Sequence, residues 1–81
     1  MKGFDKLDID SKSIMLHYRG QMITSVKYYN YRVTLYAFSD RLIEEYYDTE
    51  NREVSRICNA TDQDLKKYLD KIDISDLTTF N

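Results

Sequence analysis

At 81 residues, with 42 % hydrophobic and 32 % charged side chains, the chain has the composition of one small folded domain, residues 1–81, rather than of a disordered segment. It contains no proline and only Gly3 and Gly20, which excludes a glycine-rich phosphate loop, and its apolar runs are too short for a transmembrane helix. The net charge of -2 speaks against a general nucleic-acid binder, yet it is unevenly spread: residues 1–41 carry seven Lys/Arg against four acids, residues 42–81 five against ten.

The first element is a helix from about Ser11 to Arg19. Ile14, Leu16 and Tyr18 alternate as in a strand, while Ile14, Met15 and Tyr18 also fit one helical face, so periodicity alone leaves both open. The ends favour helix: Asp10 or Ser11 can cap the start, His17 and Arg19 suit the last turn, and Gly20 stands where a C-terminal glycine belongs.

Two strands follow, MITSVKYY and YRVTLYAF, joined around Asn30, a residue that tolerates positive φ. In the second, Tyr31, Val33, Leu35 and Ala37 point one way and Arg32, Thr34, Tyr36 and Phe38 the other. After a turn at Ser39 and Asp40, RLIEEYYDTENREVSRI reads as a hairpin with Asn51 in the left-handed conformation of a short loop. If Asp48 faces Arg52, then Tyr46 faces Val54, Glu44 faces Arg56, Leu42 faces Cys58 and Ile43 faces Ile57, so cross-strand partners match in chemistry. A closing helix runs from about Asp62 to Lys71. Thr61 and Asp64 form a capping box, and Leu65, Tyr68, Leu69 and Ile72 form the apolar stripe; Ile74 and Leu77 then pin the tail. The expected fold is α+β: a four-stranded antiparallel β-meander flanked by an N-terminal and a C-terminal α-helix.

The run YYNYRVTLYAFSDRLIEEYYDTENREVSRI followed by DLKKYLDKIDISDL resembles small uncharacterised proteins of Bacteroidetes bacteria. The resemblance covers about the last two thirds of the chain and contains no catalytic motif. It implies a bacterial source, a small size and a cytoplasmic compartment, and no established activity.

Cys58 is the only cysteine, so no intramolecular disulfide forms, and the acidic start MKGFDKLDID lacks a signal region; both point to the cytoplasm. Cys58 reads as a small buried hydrophobe, and with His17 the only histidine the two cannot fill a zinc site; no metal and no cofactor are expected. Glu44, Glu45, Asp48, Glu50 and Glu53 cluster, but Glu44 and Glu45 are neighbours on a strand and point to opposite faces, so the cluster reads as a solvated hairpin rather than an acid/base pair. No catalysis is expected.

The functional expectation concerns the tyrosines. If Val33 and Leu35 face the core, the reverse sheet face carries Lys27, Tyr29, Arg32, Tyr36 and Phe38, an aromatic patch that two helices would not fully hide. The first reading is an interface for a second copy or a partner protein, because Tyr and Arg are enriched at such surfaces. The alternative is single-stranded nucleic acid: from His17 to Ser39 there is no acid, and bases can stack on exposed tyrosines. A third possibility is that the monomer covers its own rings: each helix covers one face, or both cover one and the tyrosine stems pack flat on the other with their hydroxyls in water.

Overall fold

The computed structural model describes residues 2–69. Four strands, β1 (Gln21–Tyr28), β2 (Tyr31–Phe38), β3 (Arg41–Asp48) and β4 (Glu53–Asn59), lie side by side in chain order, all antiparallel. On the N-terminal side are α1 (Lys2–Asp5) and α2 (Ile9–Arg19). On the C-terminal side a short α3 (Asp62–Leu65) tightens into a 3-10 turn over Lys66–Tyr68. The expected α+β meander with a helix at each end is therefore the observed fold. The expected continuation of the closing helix to Lys71, its apolar position Ile72 and the anchors Ile74 and Leu77 lie outside the described residues.

The helix starts follow local chemistry. Asp8, not Asp10 or Ser11, caps α2: its Oδ1 accepts the Ser11 N–H at 2.8 Å, so the helix begins two residues earlier than expected. At the other end the Gly20 N–H donates to the Leu16 carbonyl at 2.8 Å. Gly20 is extended, with φ of -80°, and glycine is needed for closeness rather than for handedness: a Cβ there would lie 2.6 Å from the Leu16 oxygen and 3.1 Å from the Tyr36 ring. The capping box of α3 is present, Thr61 Oγ1 accepting the Asp64 N–H at 3.2 Å and Asp64 Oδ2 accepting the Thr61 N–H at 2.9 Å.

Two turns differ from expectation. In the β1–β2 loop the positive φ falls on Tyr29 (56°) rather than on Asn30, as it falls on Ser39 (58°) in the β2–β3 loop. A first loop residue with positive φ belongs to the mirror-image turns that match the right-handed twist of paired strands. Asn30 ties the neighbouring loop instead, its carbonyl accepting from Thr49 N (3.0 Å) and Oγ1 (2.7 Å), its Nδ2 donating to Asp48 Oδ1 (3.3 Å). The β3–β4 loop holds four residues, 49–52, with the positive φ on Arg52 (56°). Asp48 accepts from Glu50 N, Asn51 N and Asn51 Nδ2, which fixes that longer loop. The register is consequently Asp48 opposite Glu53 and Tyr47 opposite Val54, and an extra residue at Ser55 then sets Tyr46 opposite Arg56, Glu45 opposite Ile57 and Glu44 opposite Cys58. The expected Glu44–Arg56 pairing is thus not made.

Alternation along β2 sorts the interior into two cores. Val26, Val33, Leu35 and Tyr46 face α3 and the 3-10 turn, where Tyr68 is fully buried among them. Tyr36, Phe38 and Ile43 face the other way and pack with Phe4 of α1 and Leu16 of α2, the Phe4 and Phe38 rings 4.9 Å apart. The third possibility is realised in part: each helical segment covers one face and Tyr36 and Phe38 are buried, while Tyr18, Tyr28 and Tyr29 stay exposed.

Two measurements check this layout. Leu35→Ala and Tyr36→Ala, on opposite faces, are each expected to cost about 2–5 kcal/mol in denaturant-induced unfolding, because each empties a separate core. Acid titration gives the second. Asp8, Asp48 and Asp64 all have pKa values lowered from the ordinary 3.8 by backbone N–H donors, from Ser11, Asn51 and Thr61 respectively. A lowered folded pKa means that the unfolded chain takes up protons first, so their stabilisation is present above pH 3.8 and lost as the pH falls through the lower folded values. Asp48→Ala is expected to lower the unfolding midpoint at neutral pH and to flatten its decline below pH 4.

Candidate interaction surface and two buried carboxylates

The residues expected to form one docking face are divided. Tyr36 and Phe38 are both 8 % exposed, sealed beneath α1 and α2, and offer no surface. Lys27, Tyr29 and Arg32 are exposed, at the far end of the β1–β2 hairpin. A short α1, which supplies Phe4, adds its cover to that of α2, so two pieces of helix rather than one lie over this face. Lys27 pairs with Arg32, and Tyr28 with Tyr31, so the two cations point to the α2 side while Tyr28 and Tyr31 point to the α3 side. Of the residues expected to serve a single strand of nucleic acid, Lys27 and Arg32 thus share one face and Tyr28 and Tyr31 the other.

The adjacent acids Glu44 and Glu45, expected in solvent, are both buried, at 0 % and 6 % exposure. They lie on β3, which has a neighbour on each side, and they point into opposite cores. Glu44 accepts from Tyr68 Oη (2.5 Å) and Tyr46 Oη (3.3 Å) and pairs with Lys67 Nζ at 2.9 Å. Lys67 itself sits 5.6–5.8 Å from the ring centroids of Tyr28, Tyr46 and Tyr68. Burial pushes the Lys67 ammonium toward its neutral form, but hydrogen bonds to Glu44 and Tyr46 outweigh this, and its pKa is raised. Burial, then the bond to Glu44, drives the Tyr68 phenol far up, so it remains a donor. Cys58, opposite Glu44, is also pushed up by burial, which favours its thiol form.

On the other side Glu45 accepts from Ser13 Oγ at 2.5 Å, and its Oε1 lies 3.3 Å from His17 Nε2. Serine, histidine and a carboxylate are together, but in the wrong order for a nucleophilic relay. There the imidazole stands between hydroxyl and carboxylate; here the carboxylate stands between the other two. Ser13 also lies on the buried side of α2, facing the sheet. Among the described residues no group of three or more His, Cys, Asp or Glu is placed to hold a metal ion, and no helix is long and apolar enough to cross a membrane.

These contacts decide which side of α2 faces inward. Ser13, His17 and Leu16 turn toward Glu45 and the core, and this leaves Ile14 and Tyr18, expected on the packed face, 59 % and 85 % exposed. Leu7, Ser11, Ile14, Met15, Tyr18 and Arg19 line an apolar groove of about 470 Å³ along that outer side. The sequence carried a signal for the buried acids: an acidic pair in the middle of RLIEEYY, on a strand with neighbours on both sides, cannot have both faces wet once each face has a helix. No family model matches the chain, and neither a curated protein nor a solved structure is similar to it.

Removing the Lys67 ammonium leaves Glu44 without its counter-charge. Lys67→Met is expected to cost about 3–5 kcal/mol in equilibrium unfolding, the range for breaking one side of a buried pair. Glu44→Gln added to it is expected to recover a large part of that loss, since an amide oxygen still accepts from Tyr68; strict additivity of the two changes would show that the pair is not coupled.

Proposed function

We propose that the chain is a non-catalytic self-association module, and that its contact surface is the outer stripe of α2 rather than a face of the sheet. The observation that carries this reading is the exposure of Ile14 and Tyr18 beside the groove from Leu7 to Arg19. The occupant that fits is a second copy packed antiparallel. Asp8 and Asp10 lie at the start of α2, His17 and Arg19 in its last turn, so a two-fold axis near the helix middle brings each acidic end against the other copy's basic end and opposes the helix dipoles. Neither Asp10 nor Arg19 has an ion-pair partner among the described residues. The sheet edges suit pairing less well, because the register of β1 shifts at Ile23 and that of β4 at Ser55, and such bulges blunt an edge. A lone cysteine and the absence of any need for disulfides support a cytoplasmic setting, where Cys58 stays reduced.

Magnitude sets the strength. Burying Ile14 and Tyr18 from both copies contributes about 6–12 kcal/mol, against an association cost of about 4–15 kcal/mol, so at most about 8 kcal/mol remains and the Kd is no tighter than about 1 µM. Sedimentation velocity between about 10 µM and about 1 mM is expected to show a concentration-dependent rise toward dimer mass. Ile14→Asp abolishes it without unfolding the chain. Asp10→Arg and Arg19→Asp each weaken association and together restore it. A strict monomer at the top of that range, with wild-type folding, would sink the reading.

A further inference from the structure

On the sheet face opposite α2, beyond the 3-10 turn, Tyr28, Tyr31, Tyr46, Ser55 and Arg56 line a small cavity of about 160 Å³. Three observations give it the character of a ligand site. First, the walls are aromatic and mutually braced: Tyr28 and Tyr31 are cross-strand partners, and the Tyr31 and Tyr46 rings meet edge to face at 5.7 Å. Second, the bulge at Ser55 re-aims the end of β4 and brings the Arg56 guanidinium over the Tyr46 ring, 4.1 Å from its centroid. Third, the carboxylate that would ordinarily satisfy this arginine is taken. Glu44 lies on the same face but is held by Lys67 and Tyr68, and among the described residues Arg56 has no acidic partner. Its guanidinium lies over the Tyr46 ring and is not neutralised by a carboxylate of those residues.

We propose that this cavity binds a small planar aromatic carboxylate, its ring between Tyr28, Tyr31 and Tyr46 and its carboxylate on the Arg56 fork and the Ser55 hydroxyl. Arginine matches a carboxylate in two parallel hydrogen bonds where lysine offers only a point charge. A cavity this small lies below the range of about 300–1,000 Å³ usual for drug-sized ligands, which excludes a nucleotide and leaves room for one ring. The site is on the far face from the α2 stripe, so it stands or falls independently of self-association.

Titration of the isotope-labelled full chain with sodium benzoate, followed by amide NMR, tests it. Saturable shifts are expected at Tyr28, Tyr31, Ser55 and Arg56 with a Kd on the order of 1 mM, the strength usual for so small a ligand. Cyclohexanecarboxylate, which lacks the planar ring, and phenol, which lacks the charge, each bind at least about fivefold more weakly. Arg56→Met, whose spectrum elsewhere matches the wild type, loses at least about tenfold in affinity, as does Tyr28→Ala if Arg56→Met disturbs the fold. The proposal is overturned by absence of saturation up to about 20 mM benzoate, by saturable shifts confined to another part of the molecule, by phenol binding as tightly as benzoate, or by affinity unchanged in the variants.

Discussion

Two neighbouring carboxylates on one central strand organise this molecule. Successive residues of a strand point to opposite faces, so Glu44 and Glu45 necessarily enter different cores, and each is desolvated by a different helical segment. A buried carboxylate is tolerated only with donors or a counter-charge around it. Each therefore dictates what must lie above it: Lys67 and Tyr68 over Glu44, Ser13 and His17 over Glu45. The hydrophobic clusters supply most of the favourable free energy on each side, while the polar contacts select one docking position for each helix.

That selection has a consequence for the surface. α2 has apolar residues on more than one side, and burial alone could be served by several rotations about its axis. Directing Ser13 and His17 at Glu45 places Leu16 in the core and turns Ile14 and Tyr18 outward. The exposed stripe on α2 is thus the complement of the polar contact beneath it, and an open apolar groove is a by-product of how a buried carboxylate is satisfied. On the opposite face the same logic applies to Arg56: Lys67 holds Glu44, and the arginine lies over the Tyr46 ring without a carboxylate partner among the described residues.

Much of the architecture was legible in the chain. The second strand, YRVTLYAF, has the expected bounds, the first lies one residue earlier than MITSVKYY, and the closing helix began where Thr61 and Asp64 announced a capping box. Legibility ended where one residue more or less in a loop changes everything downstream. Asp48 gathers donors from Glu50, Asn51 and Asn30, and the four-residue loop it stabilises moved the β3–β4 register off the pairing that matched charges best. The docking face was misassigned for a related reason: α1 is a single turn with little periodicity of its own, yet its Phe4 completes the cover over Tyr36 and Phe38.

Short-range physics, acting within a few residues, is written directly in the order of side chains: caps, turns and the two-residue period of a strand. The sequence by itself therefore determined that there would be a meander with a helix at each end and an acidic pair divided between its faces. Which face each helix took, and which acids lost their water, depended on groups 24 to 32 residues apart meeting across the sheet, Tyr68 with Glu44 and Ser13 with Glu45. Contacts of that range carry no spacing rule along the chain, because closing so long a loop leaves many partners equally reachable. Only the folded arrangement chose among them.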